Sequence, residues 1–228
     1  MPSLDGIFLI VKIVYPAPIA SLFSELRAKT GHDLYLVGGS IRDLLFQKEV
    51  TDLDFATAAD PLWIHALFPE ALYFPKYGTT SFKVPPYSLT LASMRKEETY
   101  LDHRHPTKVT FLDDYRIDSK RRDFTINALY GAEDGTVLDP TGQGLPDFSR
   151  RILRMVGDPR TRLREDPLRI LRAYRFQEEL SLTFDTELEK ALSQEMELVS
   201  YLNPGKVREE IAKFPKETRE RYRELFVR

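Results

Sequence analysis

The stretch Leu34–Thr57, LYLVGGSIRDLLFQKEVTDLDFAT, restricts the chain more than any other. Leu34–Val37 is a short apolar run that reads as a buried strand. Gly38 and Gly39 follow at once, and Ser40–Phe46 reads as a short helix with Arg42 and Asp43 in its first turn. A second short strand then carries Asp52 and Asp54, separated by Leu53 and followed by Phe55. Strand side chains alternate between faces, so the two carboxylates share one face. Glycines between a strand and a helix let backbone N–H groups approach a polyphosphate. Arg42 adds a forked cation for phosphate oxygens. Paired carboxylates beside bound phosphates suit hard Mg²⁺ ions. A lone GG or a lone DxD is weak evidence, since an isolated DxD is usually solvated charge. The order GG, RD, DxD is far more specific.

The chain has 228 residues, enough for one large domain or two small ones. Its 42% apolar and 30% charged residues predict a folded soluble protein. With no cysteine, disulfides and thiolate metal sites are excluded, which fits a reducing, cytoplasmic setting. The formal net charge of −2 argues against a wholly basic nucleic-acid wrapper, yet Arg150–Arg175 is strongly basic and suits phosphates locally. The apolar run Ile7–Tyr15 has no basic lead, is interrupted by Lys12 and is too short to span a bilayer. It reads as a strand or an ordered extension, and no other segment suggests a membrane. His32, His65, His103 and His105 make no HExxH spacing and read as surface residues.

Pro16 and Pro18 introduce a helix over roughly 19–29, closed by Gly31. Asp60 and Pro61 start another, ending near Leu67. Strands are expected over 81–84, 87–94 and 108–112, with a charged loop, RKEETYLDHRHP, before the last. Together they predict a mixed, partly antiparallel sheet with helices on one side. RRDFTINALY, Arg121–Tyr130, reads as a helix with an apolar stripe of Phe124, Ile126, Leu129 and Tyr130. Arginines at a helix start oppose the macrodipole, a cost that a bound phosphate would offset. There Asp123 could accept from a ribose hydroxyl, with Asn127 one turn on. From Ile152 onward only helices are expected: 166–180, 185–201, 205–214, and one after Pro215. The boundary falls near Phe148.

EDPLRILRAYRF, Glu165–Phe176, has two readings. Asp166 caps a helix, Pro167 opens it, and the arginines are solvated. Alternatively, Asp166 and Arg169 read a base edge as paired acceptor and donor. Cytosine offers N4–H and N3, adenine N6–H and N1, whereas guanine and uracil present the reverse. A mismatched buried pair disfavours the wrong base strongly.

Four segments, LVGGSIRDLLFQKEVTDLDFAT, RKEETYLDHRHPTKVTF, RRDFTINALYG and EDPLRILRAYRF, resemble in order the class II tRNA nucleotidyltransferases and bacterial poly(A) polymerases of the polymerase-β-like superfamily. The resemblance covers roughly Tyr35–Leu180. It implies an α+β fold: a mixed-sheet nucleotidyltransferase head, residues 1–148, followed by an all-helical neck, residues 149–228. It implies Mg²⁺ on Asp52 and Asp54, and contacts from Gly38, Gly39, Arg42, Arg122, Asp123 and Asn127 to the triphosphate and ribose. It implies base reading by Asp166 and Arg169, supported by Glu165, Arg172 and Arg175. The implied reaction is template-independent addition of CCA to the tRNA 3′ end from CTP and ATP. The alternatives are A addition, poly(A) synthesis, a non-catalytic RNA- or nucleotide-binding module, or a structural partner of a larger subunit. The full-length loop, and KYGTTSFKV, favour CCA addition. Three departures stand out. Thr90 occupies a position where many members carry Glu. The turn DPTGQGLPDF is one residue longer. The family's body and tail domains, which grip tRNA, are missing here, so the frame continues, the protein is naturally short, or a second subunit or dimer supplies that surface.

Overall fold

Alternation along the first two strands sets up the sheet. In β1 (Leu34–Val37), Leu34 and Leu36 enter one core with Leu53 and Phe55 of β2 (Asp52–Thr57). Val37 and Ala56 enter a second core on the other face, with Met94 and Tyr130. The computed structural model describes residues 11–100 and 106–226, and forms two compact units. The first comprises residues up to Met94, with Phe111–Tyr115 and Leu129–Asp139. The second comprises Arg95–Thr110, Arg116–Ala128 and the chain from Pro140 onward. Of the expected strand over 7–15, residues 7–10 lie outside the described residues, as do His103 and His105. Lys12 makes a bridge with Thr136.

The first unit holds α1 (Ala17–Thr30), β1, α2 (Gly38–Leu45), β2, α3 (Pro61–Leu67), β3 (Leu72–Phe74), β4 (Thr79–Val84), β5 (Tyr87–Ser93), β8 (Tyr130–Gly131) and β9 (Val137–Leu138). The strands form one seven-stranded mixed sheet in the order β3-β4-β5-β2-β1-β8-β9. β2 and β5 run parallel; the other neighbours run antiparallel. Helix α1 presents Ile19, Phe23 and Leu26 at helical spacing to the core that holds Leu36, Phe55 and Leu91, and α3 adds Ile64. Gly31, at φ 71°, closes α1 with its N–H on Arg27 C=O. Asp60 caps α3 by accepting from the Leu62 and Trp63 amides.

In the second unit, β6 (Arg95–Tyr100) and β7 (Pro106–Phe111, whose last residue belongs to the first unit) form a two-stranded ribbon. The charged stretch expected to be a loop is therefore largely strand. Its charges alternate with period two: Arg95 pairs with Glu97 at 2.7 Å and Lys96 with Glu98 at 2.7 Å. After α4 (Tyr115–Asp118), Arg121–Tyr130 is not a helix. Short 3₁₀ turns at Ser119–Arg121 and Thr125–Asn127 flank an extended segment. That backbone is committed elsewhere. Phe124 bridges Met155, Thr125 N–H donates to Arg154 C=O, and Val156 N–H donates to Asp123 C=O. The apolar stripe is nevertheless buried, with Phe124, Ile126, Leu129 and Tyr130 fully inaccessible.

Helices α5 (Gly144–Arg150), α6 (Pro159–Glu165), α7 (Leu168–Leu180), α8 (Thr186–Glu195), α9 (Pro204–Ile211) and α10 (Lys216–Phe226) complete the unit. The expected all-helical tail also contains a short parallel pair, β10 (Ile152–Leu153) with β11 (Thr183–Phe184). The unit does not begin at residue 149. Thr125 Oγ1 donates to buried Asp147, Arg162 donates to the carbonyls of Arg121 and Arg122, and Phe124 packs edge-on against Phe176. These contacts draw residues 116–128 and 140–148 into the helical unit. Among the described residues, no helix is long and apolar enough to cross a membrane.

Candidate active site

In the first unit, Asp52 and Asp54 lie on the sheet face opposite Leu53 and Phe55, Asp52 exposed and Asp54 half-buried. The parallel register sets Ser88 beside Asp52 and Thr90 beside Asp54. Thr90 Oγ1 lies 3.3 Å from Ser81 Oγ on β4. Among the described residues, no group of three or more His, Cys, Asp or Glu is arranged to hold a metal ion. Thr90, singled out by the resemblance, is thus the β5 neighbour of the carboxylate pair.

The glycines belong to the helix rather than preceding it. Gly38 opens α2 at φ 65°, a left-handed conformation that glycine adopts at little cost. Arg42 and Asp43 consequently sit in the second turn. Arg42 is buried and forks onto Asp43, with Nε to Oδ1 at 2.8 Å and Nη2 to Oδ2 at 2.9 Å. A Cβ on Gly39 would lie 3.6 Å from that guanidinium, so the cation sits close to the helix's first turn. Ser40, which the sequence reading passed over, links this turn to β2. Its hydroxyl donates to Asp52 C=O at 2.9 Å and accepts from Asp54 N–H at 2.8 Å.

In the second unit, Asp118 is fully buried and organises the basic segment. It accepts from the Arg95 amide at 2.9 Å, Arg121 Nε at 2.9 Å and Arg122 Nη2 at 3.1 Å. Its spacings to the two arginines, three and four residues, were a readable signal. Asp123 accepts from Asn127 Nδ2 at 3.0 Å and from the Phe124 amide at 2.7 Å, and is ion-paired with Arg172. Burial raises its pKa, but Arg172, Asn127, the Phe124 amide and Arg169 together outweigh burial and hold the carboxyl at about 2. Burial works against the Arg172 charge, yet the carboxylates of Asp123, Glu210 and Asp166 raise its pKa all the same.

Asp166 Oδ1 accepts from the Leu168 amide at 3.2 Å, as a capping residue does. Arg169 is buried, with Nη1 donating to Arg162 C=O at 2.7 Å and to Glu165 Oε2 at 3.3 Å. Glu165 also pairs with Arg162, so the carboxylate gathers two guanidiniums. Arg162, also missed from sequence, reaches the carbonyls of Arg121 and Arg122. A cavity of about 340 Å³ is lined by Lys96, Lys120, Arg121 and Arg162 against Glu97 and Glu165, an electropositive balance suited to an anion. Arg175, expected to support the phosphates, is engaged by two carboxylates. Its guanidinium binds Glu210 at 2.6 Å and Glu179 at 2.8 Å, tying α7 to α9.

The poly A polymerase head-domain family matches residues 34–154, more than half of the chain. The chain belongs to this family. The matched span contains Gly38 through Asp54 and Arg121 through Asn127. Over 186 residues, 81% of this chain and 46% of the relative, it is 39% identical to the CCA-adding enzyme of Lactobacillus gasseri. Over 176 residues, 77% and 44%, it is 38% identical to that of Bacillus subtilis. The chain spans about half the length of the curated relatives it matches. Its fold is that of the Bacillus stearothermophilus CCA-adding enzyme solved in complex with CTP, at TM-score 0.74 and 32% identity, covering 87% of this chain and 48% of that one. A tRNA nucleotidyltransferase complexed with a primer tRNA and an incoming ATP analog aligns at TM-score 0.69 and 28% identity, covering 90% and 62%. The mixed-sheet α+β architecture expected from the sequence is the architecture found.

Proposed function

We propose that this chain carries the head and neck of a cytoplasmic nucleotidyltransferase that adds CMP and AMP residues to the 3′ end of tRNA from CTP and ATP. The observation that carries the reading is the carboxylate pair. Asp52 and Asp54 share an accessible face of β2, which is pinned to the Gly38–Gly39 turn, in a family member similar to CCA-adding enzymes. Two hard oxygen ligands fit Mg²⁺, which is commonly held by one or two carboxylates together with substrate phosphates. When bound to Asp52 and Asp54, Mg²⁺ would supply charge neutralisation at the phosphates and acidify the primer 3′-hydroxyl.

The roles of the chain's own residues divide by unit. In the first, the amides of the Gly38–Gly39 turn and the Arg42 guanidinium would steady triphosphate oxygens. In the second, Arg122 would take phosphate oxygens while Asp123 and Asn127 receive the ribose, with Arg172 keeping Asp123 ionised. Asp166 and Arg169 would read the N–H and ring nitrogen shared in order by cytosine and adenine, Glu165 holding Arg169 in place.

The test is incorporation of labelled CTP and ATP into tRNA lacking its 3′ CCA, with the product ends sequenced. Addition of C, C and A is expected, and its loss is expected in Asp52→Ala, Asp54→Ala. Undiminished turnover in that double variant would overturn the carboxylate assignment. Nucleotide binding without pyrophosphate release would identify a non-catalytic module instead.

A further inference from the structure

Strand β2 extends beyond its partner. The β1–β2 ladder pairs Leu34 with Thr57, Tyr35 with Ala56 and Leu36 with Phe55. β1 ends one residue later, at Val37, and the chain turns at Gly38 into α2, so β1 reaches no further than Asp54 and Asp52 lies beyond its end. On the opposite side β5 continues alongside, and the carbonyls of Thr51 and Thr57 accept from Ser88 and Met94 N–H there. Main-chain groups of even-numbered residues therefore point toward β1. Asp52 C=O and Asp54 N–H thus lie on the β1 side of β2, around the point where β1 ends. A single side chain meets both: Ser40 Oγ donates to the carbonyl at 2.9 Å and accepts from the amide at 2.8 Å, with Ser40 only 2% exposed.

A hydroxyl is suited to this position because it donates and accepts through one atom. Alanine would take that partner from both the carbonyl and the amide. The two groups belong to the consecutive peptide planes that join Asp52 to Leu53 and Leu53 to Asp54. Holding both planes holds the relative direction of the two carboxylates. Ser40 also lies in the turn opened by Gly38 and Gly39, so the same contact ties the glycine turn to the acidic strand.

We propose that Ser40 is a positioning residue: its hydroxyl holds the Asp52–Asp54 backbone at the end of β1 and sets the spacing of the two carboxylates for a divalent cation. The proposal rests on the reading of those carboxylates as the metal-binding pair. Residues that orient metal ligands typically change metal affinity by about 10- to 100-fold when altered.

The experiment measures Mn²⁺ binding to the full chain from the loss of the free-ion electron paramagnetic resonance signal. Ser40→Ala is expected to weaken Mn²⁺ binding by about tenfold. Ser40→Cys conserves volume with much weaker hydrogen bonds, and is expected to lose affinity in the same way should the alanine variant fail to fold. Ser93→Ala is the control. Its hydroxyl is also buried and donates to Ala59 C=O at 2.7 Å, so it reports the cost of losing a buried hydroxyl in this sheet. It is expected to lower the melting temperature and leave Mn²⁺ affinity unchanged. Unaltered affinity in the folded Ser40 variants, with binding abolished by Asp52→Ala, Asp54→Ala, would overturn the role of Ser40 alone. An equal loss in the Ser93 variant would also overturn it. Intact binding in the double aspartate variant would remove the metal reading and this proposal together.

Discussion

At the scale of single residues, buried carboxylates do the organising in the second unit. Asp123 has a folded-state pKa of about 2 against an ordinary 3.8. Below the ordinary value the unfolded chain takes up a proton that the folded chain refuses, so this stabilisation is present above about pH 4 and is lost as pH falls toward 2. The shift corresponds to roughly 2 kcal/mol. Urea titrations at pH 6, 4, 3 and 2 are expected to show a steeper acid loss for the unaltered protein than for Asp123→Asn. Asp118 is a second case. Asp118→Asn removes the charge from a fully buried group that holds Arg121 and Arg122, and is expected to cost about 3 kcal/mol in the same titration. Asp123 was legible as a candidate site residue from its place in RRDFTINA. Asp118 was legible only in part: its spacings to Arg121 and Arg122 are local, whereas the Arg95 amide arrives from another part of the chain.

At the scale of elements, ion pairs between helices divide by burial. Glu210 on α9 is buried and receives Arg175 of α7, itself mostly buried, and the half-exposed Lys213. Glu210→Ala leaves the mostly buried Arg175 guanidinium with Glu179 of its own helix and breaks the tie between α7 and α9, and is expected to destabilise by about 2 kcal/mol. Lys213→Ala removes only an exposed partner and is expected to cost under about 1 kcal/mol. Chemical denaturation of the two variants tests the asymmetry; equal losses would contradict it. Helices with a strong cap and an apolar stripe, such as α1, α3 and α7, could be read from the sequence to within a few residues. The segment Arg121–Tyr130 could not. Its apolar residues are spaced as on a helix, yet they are buried by an extended backbone whose partners, Arg154 to Val156, lie some thirty residues away. Burial fixes which residues are apolar, and more than one backbone path satisfies it.

For the whole molecule, the proposed function makes ligand binding a stability term. A ligand that binds only the folded state at 100 times its dissociation constant adds about 2.7 kcal/mol. CTP or ATP with Mg²⁺ is therefore expected to raise the melting temperature measured by scanning calorimetry, while GTP leaves it nearly unchanged. Asp166→Ala is expected to erase the difference between CTP and GTP. A GTP shift equal to the CTP shift in the unaltered chain would contradict base reading by Asp166 and Arg169. The formal charge of −2 hides the local balance that matters here, since the cavity lined by Lys96, Lys120, Arg121 and Arg162 concentrates positive charge against two carboxylates.

The sequence by itself determined the local order of parts: strand, glycine turn, helix, acidic strand. Period-two alternation sends Asp52 and Asp54 to one face whatever surrounds them, and Asp60 with Pro61 starts a helix through contacts a few residues long. Tertiary structure alone decided what those parts touch. Ser40 meets both ends of the Asp52–Asp54 segment only because β1 ends early beside β2. Thr90 stands next to Asp54 only through the parallel β2–β5 register. Arg175 is drawn to Glu210, thirty-five residues on, by the packing of α7 against α9. Local propensity acts over one or two turns, whereas these partners are chosen by chain segments that meet only after the core has formed.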